Sequence, residues 1–315
     1  MKTRRVEGDS GVHAAARLLK MGELVAVPTE TVYGLAAKAL DPIACAKIFE
    51  AKARPLSDPL IIHIPEMSWL KRLSQPSRLA TELAQAFWPG PLTLVVAKKG
   101  CVPDLVTAGQ ESVAIRMSAH PLFAGVLNAL GEPVAAPSAN RFGRISPTTA
   151  GHVMEELEGK IPMILDGGPC QHGIESTIVL IAGNTLQILR HGPITVDQLS
   201  AYAKIHEGES QVLAPGRLKS HYAPQTPLEI QTVSALRGWP HTSRKTGLLA
   251  WQHSISGFNA TEVLTPSGNP IVAATNLYAA MRRLDAAGLD LILAEEPPLA
   301  GLGTAIFDRL KKAAA

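Results

Sequence analysis

A short apolar run, Leu24 to Val27, leads directly into the polar sequence P-T-E-T-V-Y-G, which extends from Pro28 to Gly34. A short apolar run bounded by turn residues predicts a buried strand, so the hydroxyl and carboxyl groups of the polar sequence stand where that strand ends. In open α/β sheets, ligands bind beyond the carboxyl ends of the strands. This stretch therefore predicts an α/β fold with a ligand site at the strand end.

Apolar strand-like runs and helical patterns alternate along the first two thirds of the chain, and some strands also form hairpin-like pairs. This pattern predicts a twisted, mixed sheet with helices. Strands are expected at residues 24–27, 60–64, 92–97, 113–117, 134–136, 162–165, 176–181 and 186–189, and helices at 10–22, 41–51, 76–87, 121–130 and 148–157. The polar residues 29–33 are expected between a strand and a helix.

The chain has 315 residues, which exceeds one average domain, so two domains are expected. Residues 204–227 contain several Pro and Gly residues and few apolar ones, which predicts a linker or a lid. The predicted boundaries are 8–203 for the first domain, 204–227 for the linker and 228–315 for a second, smaller α/β domain.

Composition excludes several classes of protein. The net charge of +3 permits contact with nucleic acid, but no run of Lys and Arg is dense enough to predict it. No apolar stretch approaches the roughly 18 residues of a membrane span. The three cysteines are scattered and fit neither a disulfide framework nor a zinc site. A soluble, cytosolic protein is therefore expected.

Two groups of basic residues point to anions. Lys52 and Arg54, fixed by Pro55, suit a phosphate-bearing ligand, although a K-x-R sequence alone is more often a solvated surface. Arg116 ends an apolar strand, where an unpaired charge is costly to bury. Either a structural carboxylate or the carboxylate of a bound amino acid satisfies it. Gly159-Lys160 is followed by Ile161, so the chain lacks a P-loop motif there.

Three motifs carry a family resemblance: P-T-E-T-V-Y-G, then K-x-R-P at residues 52–55, and P-S-A-N at residues 137–140. They resemble the signature of the L-threonylcarbamoyladenylate synthases, the YrdC-like family, and the similarity extends over the whole chain. The longer branch of that family has the same order: YrdC-like domain, basic linker and small Rossmann-like α/β domain. The resemblance implies synthesis of L-threonylcarbamoyladenylate from L-threonine, bicarbonate or CO2, and ATP, with release of pyrophosphate.

The same resemblance implies cofactors, partners and site residues. The resemblance implies that a separate tRNA threonylcarbamoyl transferase uses the product. Magnesium is expected with the ATP phosphates, because no spacing of His, Cys and carboxylate residues predicts a tight protein-held metal site. The implied catalytic residues are Lys52, Arg54, Ser138 and Asn140. The implied ATP contacts are Arg54, Asp58, Ser112, Ser138, Ser146, Arg190 and Tyr222, and the implied threonine contacts are Thr31, His63, Arg116, Ala136 and Ser176. Phe142 and His191 depart from the family pattern, in which a small polar residue and a proline are expected.

Two other functions stay open at this point. An RNA-binding module without catalysis would also use a positively charged concavity, and threonine-dependent release of pyrophosphate from ATP separates it from the synthase. A weak RNA contact is also among the expected partners of the synthase. A carbamoyl-adenylate former of the hydrogenase-maturation kind is disfavoured, because its zinc-finger cysteines and extra domains are lacking.

The linker is predicted to be a lid that carries Arg217, Lys219, His221 and Tyr222, and the alternative is a passive tether.

Overall fold

The computed structural model describes residues 2–206, 210–216, 220–240 and 243–315. The chain divides into two compact units. The first consists of Met1–Phe142, Pro147–Gln171 and Glu175–Arg217, and the second of Gly143–Ser146, His172–Ile174 and Leu218–Ala315. The second unit therefore includes two short loop segments from earlier in the chain.

The described elements are numbered in chain order. The strands of the first unit are β1 Arg4–Glu7, β2 Val25–Val27, β3 Gly34–Lys38, β4 Ile61–His63, β5 Leu92–Ala97, β6 Ser112–Arg116, β7 Val134–Ala135, β8 Met163–Asp166, β9 Thr177–Ala182, β10 Thr185–Arg190 and β11 Lys204–His206. Its helices are α1 Gly8–Lys20, α2 Pro42–Lys52, α3 Ser68–Leu73, α4 Arg78–Phe87, α5 Asp104–Thr107, α6 Pro121–Leu130, α7 Ala150–Leu157 and α8 Val196–Ser200. The second unit has strands β12 Leu228–Gln231, β13 Thr246–Ala250, β14 Ala260–Val263 and β15 Leu291–Glu295, and helices α9 Val233–Arg237, α10 Pro270–Asp285 and α11 Leu302–Ala313.

The first unit is organised around one mixed sheet in the order β1-β8-β2-β3-β7-β4-β6-β5-β9-β10-β11. Strand β4 runs parallel to β6 and antiparallel to β7, whereas β5 runs antiparallel to β6 and parallel to β9. Central strands such as β2 are buried along their whole length, as expected for strands covered on both faces. The predicted mixed sheet is confirmed.

The second unit has its own sheet, in the order β12-β15-β13-β14, and all of its strand pairs are parallel. Asn269 caps helix α10, because its side chain accepts a hydrogen bond from the backbone N–H of Ile271, and Pro270 occupies the first helical position. Its buried face carries Tyr278 and Met281, among other apolar residues. A parallel sheet with covering helices is the small α/β domain that the sequence predicts.

Local sequence signals explain several helix ends. The Asp41 side chain accepts hydrogen bonds from two backbone N–H groups at the start of α2, and Pro42 occupies the first helical position. Thr149 caps α7 in the same way through the backbone N–H of His152. Helix α6 ends at Gly131, which adopts the left-handed conformation with φ of 75°. In the described part of the chain, no helix is long and apolar enough to cross a membrane.

The polar residues 29–33 join two strands, not a strand and a helix as the sequence predicts. Strand β3 follows them and pairs with β2 in antiparallel register, Val27 opposite Gly34. The sequence of β3, G-L-A-A-K, has no polar alternation, and a short apolar run cannot be assigned to strand or helix by periodicity. The sheet also extends beyond the predicted bounds 8–203, because β1 pairs with β8 and β11 with β10.

Candidate active site

The turn between β2 and β3 is fixed by one threonine. The Thr29 hydroxyl accepts hydrogen bonds from the backbone N–H groups of Thr31, at 3.1 Å, and Val32, at 3.2 Å. It also lies 2.9 Å from the Thr31 hydroxyl. Thr29 thus acts as a structural turn residue, and it holds Thr31 with its side chain buried in the first unit.

Three neighbouring strands bring the predicted amino-acid contacts together. His63 at the end of β4 is in register with Arg116 at the end of β6 and with Val134 on β7. The backbone of Ala136 donates a 3.0 Å hydrogen bond to the carbonyl oxygen of Ile61. Because β4 and β6 are parallel, their carboxyl ends meet at one edge, which is where open α/β sheets bind ligands.

Arg116 is held on three sides. It is 3% exposed, and its guanidinium donates to the Thr31 hydroxyl at 2.9 Å and to the carbonyl oxygen of Gly90 at 3.2 Å. The third partner is the carboxylate of Glu30, 2.6 Å from the Nη2 atom of Arg116. Of the two anions that the sequence leaves open for Arg116, the structure contains the structural carboxylate, and the carboxylate of a bound amino acid stays a prediction.

The electrostatics of this group follow from burial and from Arg116. Burial opposes the ionisation of Glu30, but Arg116 and the hydroxyl of Ser118 outweigh it and lower the pKa of Glu30 to about 2. Burial, and then the charge of Arg116, lowers the pKa of His63 to about 3. At neutral pH the group therefore contains one cation, one anion and a neutral imidazole.

Lys52 joins the K-x-R segment, residues 52–54, to the S-x-N loop, which contains Ser138 and Asn140. Its ammonium donates to the carbonyl oxygens of Ser138, at 2.6 Å, and Asn140, while its own carbonyl accepts from the backbone of Phe142 at 2.8 Å. Lys52 is 1% exposed, and burial, followed by repulsion from Arg54, puts its pKa well below the ordinary value. In its ammonium form, which an anionic ligand would stabilise, Lys52 has three N–H donors, so one remains for that ligand.

Arg54 is fixed by residues that follow it closely in the chain. Its guanidinium donates to the carbonyl oxygens of Asp58, at 3.1 Å, and Pro59, at 2.7 Å, and lies 2.9 Å from the Asp58 carboxylate. The ring of Phe142 lies 5.9 Å from the guanidinium carbon. Phe142, which departs from the family pattern, therefore takes part in packing against Arg54.

A third buried arginine, Arg190, links three segments of the first unit. Arg190 donates 3.0 Å hydrogen bonds to both the hydroxyl and the carbonyl oxygen of Ser176, and another, of 3.2 Å, to the carbonyl oxygen of Pro215. The Ser176 hydroxyl also lies 2.8 Å from that of Thr93 on β5. Arg190 thus connects a predicted threonine contact with the predicted linker.

Three further predicted residues are Ser112, Ser146 and Tyr222. Ser112 begins β6, four residues from Arg116, or about 13 Å at the usual strand rise. Ser146 and Tyr222 are buried in the second unit, where Tyr222 adopts φ of 63° and stacks on Tyr278 with ring centroids 5.8 Å apart. Two predicted lid residues, Arg217 and Lys219, lie outside the described residues.

Sequence reasoning did not assign Glu30, Ser118 or Thr93 to the site. Glu30 stands directly before Thr31, and a buried arginine needs an anion, so a carboxylate beside a predicted ligand contact was the available signal. Thr93 gives no such signal, because it lies within an apolar strand. Within the described ranges, no cluster of three or more His, Cys, Asp or Glu side chains could hold a metal ion.

Comparisons with known proteins place this geometry in a family. Residues 17–192 match the Sua5/YciO/YrdC model, described as "Telomere recombination", and residues 194–315 match "Threonylcarbamoyl-AMP synthase, C-terminal domain". The threonylcarbamoyl-AMP synthase of Bacillus subtilis is 40% identical, covering 97% of this chain and 93% of that protein. That of Pyrococcus abyssi is 39% identical, covering 96% and 93%.

A solved structure agrees with these matches. The crystal structure of Pyrococcus abyssi Sua5 complexed with L-threonine superposes with a TM-score of 0.88 at 36% identity and covers 100% of this chain and 98% of that one. The agreement includes both the large mixed sheet and the smaller parallel sheet. The chain therefore belongs to the threonylcarbamoyl-AMP synthase family, in its form with a C-terminal domain.

Proposed function

We propose that this chain synthesises L-threonylcarbamoyl-AMP from L-threonine, bicarbonate or CO2, and ATP, with release of pyrophosphate. The observation that carries this function is the 40% identity to a threonylcarbamoyl-AMP synthase over 97% of the chain. The product serves the threonylcarbamoyladenosine modification of tRNA. A separate tRNA threonylcarbamoyl transferase consumes it.

The reaction needs two bond-forming steps. The threonine amine adds to the carbon of CO2, which gives a carbamate and releases a proton. A carbamate oxygen then attacks the α-phosphorus of ATP, and the bond between that phosphorus and the bridging oxygen breaks as pyrophosphate leaves. Catalysis of such a transfer rests mainly on positioning and on electrostatic stabilisation of the crowded negative charge.

The nucleotide is assigned to the basic side of the first unit. Lys52, Arg54 and Arg190 are the cations proposed to stabilise the phosphates, and the remaining N–H of Lys52 supports that role. Ser138 and Asn140 complete the catalytic set, because Lys52 holds the loop that carries both. Asp58, Ser112, Ser146 and Tyr222 are the further nucleotide contacts that the family resemblance assigns.

L-Threonine is assigned to the edge formed by β4, β6 and the turn after β2. Thr31, His63, Arg116, Ala136 and Ser176 are its proposed contacts. Two observations support this: His63 and Arg116 are in register at neighbouring strand ends, and the Pyrococcus abyssi relative has been solved with L-threonine.

Magnesium is proposed to accompany ATP. Among the described residues there is no three-ligand cluster of His, Cys, Asp and Glu, and the carboxylate of Asp58 is paired with Arg54. This donor set does not fit a protein-held metal. Magnesium that is carried by phosphates needs few protein ligands, and it supplies charge neutralisation there.

Release of pyrophosphate from ATP tests the function directly. With L-threonine and bicarbonate both present, the chain should release pyrophosphate, and omission of either substrate should reduce the rate to background. Release that does not depend on threonine would contradict the proposed function. Binding of tRNA without any pyrophosphate release would favour the RNA-binding module.

A further inference from the structure

A buried carboxylate, that of Glu30, lies beside the buried guanidinium of Arg116 at the strand edge. Glu30 is 5% exposed, and its carboxylate pairs with Arg116 and accepts a hydrogen bond from the hydroxyl of Ser118. The two charged residues lie 86 positions apart in the chain. Burying either charge alone is costly, and removal of one partner of such a pair leaves an uncompensated charge.

The ion pair of Glu30 with Arg116 does not use all the N–H donors of the guanidinium. A guanidinium has five N–H donors: one on Nε and two on each terminal nitrogen. In the described contacts, Nε donates to Gly90, one Nη1 hydrogen to Thr31, and Nη2 faces Glu30. One hydrogen on each terminal nitrogen therefore remains for a ligand, while the other contacts fix the plane of the guanidinium.

The pair also sets the charge of this edge. Burial keeps His63 and His120 neutral at pH 7, because it places the pKa of each below the ordinary histidine value. The thiol of Cys170 is neutral too, since burial raises its pKa to about 12. The charges of Arg116 and Glu30 cancel, so this edge matches a ligand with one positive and one negative group better than it matches an anion.

Resting on the proposed function, we propose that Glu30 is a positioning and specificity residue of the amino-acid site. It orients the Arg116 guanidinium toward the α-carboxylate of L-threonine. Its own negative charge makes the site selective for the zwitterion over ligands that carry a carboxylate without an ammonium group. The role of Ser118 is to hold the Glu30 carboxylate in place.

Calorimetry on purified full-length protein tests this role with matched variants. Glu30→Gln removes the charge at nearly constant shape, and Glu30→Asp keeps the charge but shortens the side chain. Glu50→Gln is the control, because Glu50 is an exposed glutamate on α2. Each variant is titrated with L-threonine, with ATP, and with 3-hydroxybutyrate, which has the carboxylate and hydroxyl of threonine but no ammonium.

Glu30→Gln should weaken L-threonine binding at least tenfold, while ATP affinity changes less than twofold. The preference for L-threonine over 3-hydroxybutyrate should fall, since the site then carries a net positive charge. Glu30→Asp should retain the preference, and Glu50→Gln should match the unchanged protein. A purely structural role for Glu30 would not move the ratio of the two affinities.

Unchanged threonine affinity and unchanged preference in a folded Glu30→Gln protein would overturn the inference and leave the proposed function intact. Failure of the unchanged protein to bind threonine would instead overturn the proposed function. If Glu30→Gln does not fold, Ser118→Ala decides, because it leaves both charges and removes only the hydroxyl. Its threonine affinity should fall severalfold with ATP affinity retained, and no change there would also reject the role of Glu30.

Discussion

The ammonium nitrogen of Lys52 lies 2.6 Å from the carbonyl oxygen of Ser138, although 86 residues separate the two in the chain. This hydrogen bond joins the end of α2 to the S-x-N loop. Lys52 therefore has a structural role beside its predicted contact with phosphate, because its side chain also fixes the backbone of Ser138 and Asn140.

Replacement of Lys52 should therefore affect both turnover and loop geometry. We expect Lys52→Ala to reduce pyrophosphate release about a hundredfold or more, since loss of one strong transition-state contact costs roughly 3 kcal/mol. Lys47→Ala on the same helix is the matched control, because Lys47 pairs with Glu23 at a half-exposed site. Near-normal turnover of a folded Lys52→Ala protein would reject both the phosphate contact and the positioning of the loop.

Arg116→Lys should separate the two substrates. Lysine keeps the positive charge but cannot reproduce the planar contacts to Thr31, Glu30 and Gly90. We expect the concentration of L-threonine needed for half-maximal rate to rise at least tenfold, while ATP affinity stays within about twofold. Arg17→Lys, an exposed position on α1, serves as the control. Calorimetry that shows unaltered threonine affinity would remove Arg116 from the amino-acid site.

His63 should not titrate in the physiological range. Burial and Arg116 lower its pKa to about 3 in the folded chain, whereas a histidine in an unfolded chain titrates near 6.5. Between these values the unfolded chain binds a proton that the folded chain does not. The contribution of His63 to the free energy of unfolding therefore falls as the pH is lowered from about 6.5 toward 3.

Nuclear magnetic resonance measures this directly. The ring proton signal of His63, assigned by its loss in His63→Gln, should keep one position from pH 5 to pH 8. A histidine-containing model peptide provides the reference curve. A midpoint near 6.5 for His63 would show that the imidazole is accessible to water and that the strand edge is more open than described.

The linker should tolerate little change. A passive tether needs no specific contacts, yet Arg190 donates a 3.2 Å hydrogen bond to the carbonyl oxygen of Pro215. Directly before residues 214–224, the backbone of Leu213 exchanges two hydrogen bonds with Gln110, at 2.7 and 3.1 Å, which fix where the segment that follows begins. We expect replacement of residues 214–224 by a Gly/Ser segment of equal length to lower product yield severely. ATP hydrolysis would then no longer be coupled to the yield of threonylcarbamoyl-AMP. This product is a mixed anhydride of a carbamate and a phosphate, and water would reach it in the uncovered site.

Limited proteolysis provides a second measurement on the linker. Cleavage within residues 204–227 should slow when ATP and L-threonine are both present, compared with either ligand alone. If the Gly/Ser replacement is silent and the ligands give no protection, the segment is a tether.

Local chemistry could be predicted from the sequence, and pairing between distant residues could not. The cap formed by Asp41 and Pro42 and the strand ends that carry His63 and Arg116 follow from patterns within a few residues. Strand β3 was not predicted, because a run as short and apolar as Gly34–Lys38 has no alternation that distinguishes a strand.

The missing parts of the site are long-range contacts. The need for an anion at Arg116 follows from its apolar neighbours, but the choice of Glu30 depends on how β2 and β6 are placed in the sheet. Likewise, a K-x-R sequence indicates phosphate, while the pairing of Lys52 with two carbonyl oxygens requires the loop after β7 to lie beside α2. Such contacts are set by tertiary structure.

Isotope transfer from bicarbonate identifies the product of the reaction. The purified chain is incubated with ATP, L-threonine and ¹³C-bicarbonate, and the adenylate products are identified by mass spectrometry. We expect threonylcarbamoyl-AMP with one ¹³C atom in the carbamoyl group, formed in equal amount to pyrophosphate and absent without threonine. Pyrophosphate release with only unlabelled AMP or threonyl-AMP as the product would contradict this expectation.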